Sequence, residues 1–228
     1  ALTAGSQSTG GSAMAPDGRF VVVWRELCTY DIYGRRFGPF GNALGTEFRV
    51  NTYTTGQQAN PRVALDPAGN FTVVWESFGQ DAPVQIGVFG QRYDAGGARL
   101  GGEFQVNTYS TGNQLRPSIA LGHDGGFVVA WDGQGPPSGQ STVWARRYAN
   151  TGVPIGIEFA VTVAPPGGAA QGIEVATDEP GNFAVTWGHF FSGPSPFSQV
   201  YLRRFRANGA PRGAGFPVGI PTGAEPRP

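Results

Sequence analysis

The feature that most limits what this chain can fold into is an internal repeat. Residues 101–131, GGEFQVNTYSTGNQLRPSIALGHDGGFVVAW, restate residues 46–75, TEFRVNTYTTGQQANPRVALDPAGNFTVVW. Both run through an acid-Phe-x-Val strand, a polar Asn-Thr-Tyr-x-Thr-Gly link, a Pro-led apolar strand, a glycine turn and a strand ending in Trp. Three landmarks give the number of copies. Trp24, Trp75, Trp131 and Trp187 recur at intervals of 51, 56 and 56 residues. Arg36, Arg92, Arg147 and Arg204, each inside an aromatic-x-x-Arg-aromatic run, recur at 56, 55 and 57, and Phe48, Phe104, Phe159 and Phe216 repeat those intervals. Four copies of about 57 residues therefore fill the 228 positions, and the only sizeable length change lies between the Trp and Arg landmarks.

Each copy reads as four short strands. The first is Ser12–Ala15, Pro61–Leu65, Pro117–Leu121 and Gly172–Ala176, in which Ala13, Ala64, Ala120 and Ala176 coincide, so this strand is crowded in every copy. A turn follows, with Gly18, Gly69, Gly125 and Gly181 at a place that calls for positive φ. The second strand, Phe20–Trp24, Phe71–Trp75, Phe127–Trp131 and Phe183–Trp187, is apolar or β-branched at nearly every position. A strand without a polar side is covered on both faces. The third strand carries the arginine run and the fourth the Glu-Phe-x-Val run, and both alternate as more exposed strands do. Glu47, Glu103 and Glu158 are expected to pair with Arg36, Arg92 and Arg147 across the ladder, at ~0.2–1 kcal/mol each. Gly215 replaces the acid in the last copy, which leaves Arg204 to another partner or to water. Variable loops at 25–31, 76–85, 132–142 and 188–199 join second to third strands and carry Phe78, His189, Phe190 and Phe191 as exposed aromatics. Residues 1–11 are small and polar, and are expected to be poorly ordered unless they pair with the C-terminus.

Four-stranded antiparallel units of this length predict an all-β fold, a four-bladed β-propeller in one domain over residues 1–228, with blades at about 12–60, 61–116, 117–171 and 172–228. The aligned alanines would line the axis, and the ring would close by packing the first blade on the fourth; a sandwich or an open array is the second reading. Sixteen basic and sixteen acidic residues give zero net charge, so there is no long-range field to draw in nucleic acid or an anionic membrane. Every basic residue is arginine, which with 37 Gly and 19 Pro reads as a GC-rich coding bias. Cys28, the only cysteine, excludes an intrachain disulfide and reads as a buried, inert thiol. No run approaches the ~18 apolar residues of a membrane span, and the start at Ala1 fits a mature secreted chain or a cut one.

The run Phe89-Gly-Gln-Arg-Tyr-Asp-Ala-Gly-Gly, followed by Gly102-Glu-Phe-Gln-Val-Asn-Thr-Tyr-Ser-Thr-Gly-Asn-Gln and Gly126-Phe-Val-Val-Ala-Trp, resembles the tandem repeat of many large bacterial surface and secreted proteins. The resemblance spans all four copies and is clearest in the middle two. It implies an extracellular or cell-surface setting and an adhesive or scaffold role, and it transfers no catalytic residue.

Little in the sequence points to chemistry. The turns offer one or two acids each, at Asp17, Asp66, Asp124 and Asp178, which suits turn capping better than the oxygen-rich loop that calcium needs. His123 and His189 are 66 residues apart and do not suggest zinc; no cofactor is expected. Ser192 and Ser195 lie near His189 without a nucleophile-elbow pattern. In a propeller the blade links and the loops after the second strands emerge on one face. That face would carry Asn51, Tyr53, Asn107 and Tyr109 in the links, with Glu76, Asp132 and His189 just after the tryptophans. Polar groups beside aromatics suit sugar rings, although Asn-Thr-Tyr would serve equally to cap and pack the link. The expectation is therefore a non-enzymatic extracellular module that binds a glycan or a protein surface through these loops, with neither nucleic acid nor membrane insertion. The alternative is a structural subunit that assembles with other chains. An enzyme on the scaffold would require acids and a histidine converging at the mouth of the axis.

Overall fold

A computed structural model describes residues 6–135, 140–163, 168–191 and 197–219. Within them the β-branched and aromatic runs form four antiparallel four-stranded sheets. The first blade holds β1 (Gln7–Met14), β2 (Phe20–Glu26), β3 (Ile32–Phe37) and β4 (Phe48–Arg49). The second holds β5 (Gln58–Leu65), β6 (Phe71–Phe78), β7 (Ile86–Tyr93) and β8 (Phe104–Gln105). The third holds β9 (Gln114–Leu121), β10 (Phe127–Gly135), β11 (Gln140–Tyr148) and β12 (Phe159–Val163). The fourth holds β13 (Gly168–Thr177), β14 (Phe183–Phe191), β15 (Phe197–Phe205) and β16 (Phe216–Pro217). In every sheet the strands lie side by side in chain order, and the first strands pack in series, β1 on β5, β5 on β9 and β9 on β13. The propeller of four blades expected from the repeat is what the chain forms.

Side chains of each second strand alternate between a backward face, towards the preceding blade, and a forward face, towards the next. Phe71, Val73 and Trp75 look back and cluster with Val21 and Val23 of the first blade. Val74 looks forward and clusters with Phe127, Val129 and Trp131; Val128 and Ala130 do the same with Phe183, Val185 and Trp187. Three interfaces thus give three clusters, and among the described residues none joins the fourth blade to the first. The burial of the second strands agrees. β6 and β10 are buried on both faces along their first seven residues, whereas β2 and β14 are buried mainly at alternate positions. In the described residues the four blades form an open arc, which corrects the expectation of a closed ring. The aligned alanines also read differently. Ala13, Ala64 and Ala120 pack forward against the next blade rather than lining the axis, and Ala176 of the fourth blade is exposed.

Each interface repeats the same set of contacts. The first and last aromatics of the arginine-bearing hairpin stack on the backward face: Phe71 on Tyr93, Phe127 on Tyr148 and Phe183 on Phe205, with centroids 4.7, 4.5 and 4.8 Å apart. The preceding blade's outer strand sends one Phe over each stack, Phe48, Phe104 and Phe159 in turn, 5.3 to 5.5 Å from the nearer ring. Such pairs contribute about 0.5–1.5 kcal/mol beyond their burial. Burial of Tyr93 and Tyr148 pushes their phenols up to about 12. The arginines also cross the interface. Arg36 Nη1 donates to the Ala95 carbonyl at 2.8 Å and Arg92 Nη1 to that of Thr151 at 2.6 Å, each lying over a turn of the next blade. Gly97, Gly152 and Gly209 in those turns have φ near +85° and carry the guanidinium where a Cβ would stand, within 2.6–2.8 Å of it.

Glu103 and Glu158 turn to the blade links rather than to Arg92 and Arg147, contrary to the sequence reading. Glu103 accepts from the Thr52 amide at 2.6 Å and Glu158 from the Thr108 amide at 2.7 Å, so each outer strand grips the link that enters its own blade. A backbone amide in a fixed link holds a carboxylate without the side-chain entropy that an exposed ion pair costs. The described part of the amino-terminal segment joins the first sheet, where Gln7 and Ser8 pair with Glu26 and Arg25; residues 1–5 lie outside the described residues. Cys28 is exposed, on the loop after β2, rather than buried.

These burial differences set the energetics of the aligned tryptophans. Trp131 is fully buried and its Nε1 donates to Gln114 Oε1 at 3.0 Å, whereas Trp24 is half-buried on the uncovered face. Trp131→Ala should cost about 3–5 kcal/mol by urea denaturation, and Trp24→Ala clearly less. Equal costs would show that the first blade's backward face is covered.

Candidate active site

One residue beyond each aligned Trp, the second strand reaches the loop end of the axis. Arg25, Glu76, Asp132 and Gly188 occupy this position. Opposite it the inner strands are bulged: the β5–β6 register shifts between Ala59 and Arg62, and the β13–β14 register between Gln171 and Glu174. At the bulges Asn60 and Arg116 take φ of +49° and +54°, and Gly172 takes +60°. A bulge re-aims the residue it contains, and here it turns two polar residues onto the carboxylates. Glu76 Oε1 accepts from Asn60 Nδ2 at 2.8 Å and from the Arg116 backbone amide at 2.6 Å. Arg116 Nη1 donates to Asp132 Oδ2 at 2.9 Å and to the Ala170 carbonyl at 3.0 Å. Ala170 is the cross-strand partner of His189. One arginine therefore ties together a glutamate of the second blade, an aspartate of the third and the backbone beside a histidine of the fourth.

All three titratable residues are buried, Glu76 at 5%, Asp132 at 7% and His189 at 2% exposure. His189 is thus not the exposed loop aromatic expected. It extends β14 and packs against Phe191, with ring centroids 4.3 Å apart. Its Nε2 has no hydrogen-bond partner, and burial holds its pKa below the ordinary imidazole value. Two cavities open beside the carboxylates. One of about 400 Å³ is lined by Gln57, Glu76, Phe78 and Ile86, and one of about 470 Å³ by Gln85, Asn113, Arg116, Asp132 and Gln134. Both fall in the size range of small-ligand clefts.

The link residues are placed differently. Asn51 is fully buried, its Oδ1 accepting from the Ile32 amide at 2.8 Å and its Nδ2 donating to Asp31 Oδ1 and the Tyr53 carbonyl. Asn107 repeats this with the Val88 amide, Asp81 and the Tyr109 carbonyl. Both side chains are spent on latching the link to the third strand. The Tyr53 hydroxyl donates to the Gly79 carbonyl at 3.2 Å, and the Tyr109 amide donates to Glu158. Of the seven residues singled out from the sequence, the structure joins Glu76 and Asp132 through Arg116, sets His189 beside them only through the backbone of its cross-strand partner Ala170, and leaves the four link residues outside. Asn60 and Arg116 were missed because each precedes a proline, a place that favours extended backbone, whereas both adopt the left-handed conformation. The turn acids cap their turns, with Asp66 accepting from the Asn70 amide at 2.9 Å and Asp178 from that of Asn182 at 2.7 Å. Among the described residues no group of three metal-ligating side chains occurs, and no helix is long and apolar enough to cross a membrane.

Among solved structures the chain is similar to an α-L-arabinanase of Penicillium chrysogenum, at 13% identity and a TM-score of 0.66, covering 96% of this chain and 69% of that one. It is similar to an α-L-arabinofuranosidase of Fusarium graminearum at 12% and 0.64, covering 94% and 68%, and to an endo-arabinase of Bacteroides thetaiotaomicron at 10% and 0.54, covering 89% and 77%. The chain shares its fold with carbohydrate-cleaving propellers. No family model matches the sequence, and no curated protein matches it. These likenesses overturn the expectation of a non-enzymatic adhesive module without catalytic residues, and the alternative of a structural subunit with it. The solved structures that share this fold are enzymes; here two acids, Glu76 and Asp132, meet through Arg116, while the ring of His189 packs on Phe191 and touches neither. At 10–13% identity the likeness carries the fold alone.

Because folding keeps His189 neutral, the unfolded chain binds its proton more readily, and stability rises with pH across this titration. The loss should begin as pH falls below about 6.5, the ordinary value, and level off below the depressed folded one. Thermal melts from pH 8 down to pH 5 should show that decline in the wild type and a flatter one in His189→Gln. Superimposable pH profiles would contradict the buried neutral histidine.

Proposed function

We propose that the chain is a glycoside hydrolase acting on a furanose-containing polysaccharide, with Glu76 and Asp132 as its two carboxyl groups. The observation that carries this reading is the buried chain from Glu76 through Arg116 to Asp132 beside two open cavities. Glycoside hydrolysis calls for two carboxyl groups flanking the scissile bond. One donates a proton to the glycosidic oxygen as the bond from the anomeric carbon breaks, and the other assists attack on that carbon. Asp132 is ion-paired to Arg116 and takes the second role, as the carboxylate facing the positive charge that develops on the sugar. Glu76 accepts only from the neutral donors Asn60 Nδ2 and the Arg116 amide, and takes the proton-donating role. The arabinan-cleaving proteins that share the fold support a furanose-containing substrate. An extracellular bacterial setting, which the repeat resemblance implies, suits a polymeric substrate.

The test is a reducing-sugar assay on arabinan, arabino-oligosaccharides and other furanosides, and on sialosides as a contrast. Turnover should appear on a furanoside and fall roughly 10²–10⁴-fold in Glu76→Gln and Asp132→Asn, with melting temperatures close to wild type. No turnover on any furanoside, or full activity in both variants, would overturn the assignment.

A further inference from the structure

The open arc leaves two faces that are halves of an interface the molecule already makes three times. On the first blade's backward face Phe20 stacks on Phe37 at 4.8 Å and 9°, as the buried pairs of the later blades do. Among the described residues no blade covers it, and both rings are half-buried. At the other end, the fourth blade's outer strand presents Phe216, the counterpart of the capping Phe48, Phe104 and Phe159, at 47% exposure.

The polar contacts are vacant in the same way. Gly41 has φ +79° like its counterparts Gly97, Gly152 and Gly209, yet nothing lies within 4 Å of the Cβ position where they carry an arginine. Arg204, the counterpart of those arginines, is exposed and borders a cavity of about 300 Å³ on the fourth blade's forward face. At the filled interfaces Arg146 and Arg203 donate to the Val106 and Val161 carbonyls of the blade behind, at 2.8 and 2.6 Å. Their counterpart Arg35 lies over the Phe37 ring at 5.8 Å, as Arg146 lies over Tyr148 at 5.7 Å. The carbonyl it would take belongs to the counterpart of Val106 and Val161, which is Val218, 57% exposed at the far end of the arc.

We infer that these two faces bind each other between molecules: the forward face of the fourth blade docks on the backward face of the first blade of a second copy, repeating the internal interface. Phe216 would close over the Phe20–Phe37 stack, Arg204 would lie on the Gly41 turn, and Arg35 would take the Val218 carbonyl. The occupant is a second copy because each contact it must make is already made by this chain's own blades, and zero net charge sets no long-range repulsion against it. The contact is head-to-tail, so two copies close a ring if their curvature permits and otherwise continue as a filament. It stands independently of the hydrolase reading.

Sedimentation velocity over a wide range of concentrations tests it. The wild type should associate with rising concentration, and Phe216→Asp and Arg35→Glu should each weaken association at least about tenfold. Both residues are partly or largely exposed, so unchanged melting temperatures should accompany the loss. Mixing the two variants should give a one-to-one dimer that grows no further, since the mixture holds one intact pair of faces. A wild type that stays monomeric at every concentration, variants that associate like it, or a mixture that does not pair would overturn the proposal.

Discussion

A stacked aromatic pair on the back of the second, third and fourth blades, closed over by a phenylalanine from the blade behind, is the contact on which this structure depends. A lone four-stranded sheet of this kind is apolar on both faces and stable on neither. Stacking one blade on the next buries Phe71, Phe127 and Phe183 almost completely, together with their partner rings. The arginine clasp adds direction: a guanidinium of one blade lies flat on a glycine turn of the next, so the order of blades cannot be reversed without losing it. Because each blade contacts only its neighbours, stability accumulates interface by interface, as in other quasi-linear repeats.

The same stacking creates the candidate site. Glu76 points forward from the second blade, and the bulge in β9 brings the Arg116 amide to it; Arg116 then reaches forward to Asp132 and to the fourth blade. No single repeat contains the site, and it arises only where three blades meet. The first blade carries Arg25 at the position of Glu76, and the fourth carries Gly188 at that of Asp132. The two middle blades, whose sequences match best, therefore hold the acids. Divergence at the ends removes the carboxylates but keeps the aromatic stack, which separates the residues that hold the fold from those available for chemistry.

Most of the fold was legible in the sequence because its determinants are local and repeated. The Phe-to-Trp strands, the glycine turns and the four-fold count all follow from spacing, and the doubly covered β6 and β10 follow from their lack of a polar side. What was not legible depends on how blades meet. Spacing alone gave no angle between blades, so closure of the ring could not be read from it. The Glu103 and Glu158 carboxylates turn to the Thr52 and Thr108 amides of the links rather than to the arginines of the neighbouring strand. Gln58 and Gln114 stand 17 residues before Trp75 and Trp131 and bond their indoles at 3.0 Å; their recurrence was a usable signal. The candidate site was half legible. Glu76, Asp132 and His189 were marked by their place after the tryptophans, whereas Arg116, which joins the two acids, was hidden by a left-handed bulge before a proline.

The most direct test of an open, serially stacked arc is native-state amide hydrogen exchange, resolved strand by strand in dilute solution. With two covered faces each, β6 and β10 should exchange most slowly, through openings near the global unfolding free energy, while β2 and β14 should open at lower cost. Equal protection of all four second strands would mean that the end blades are covered too, and that the propeller closes on itself.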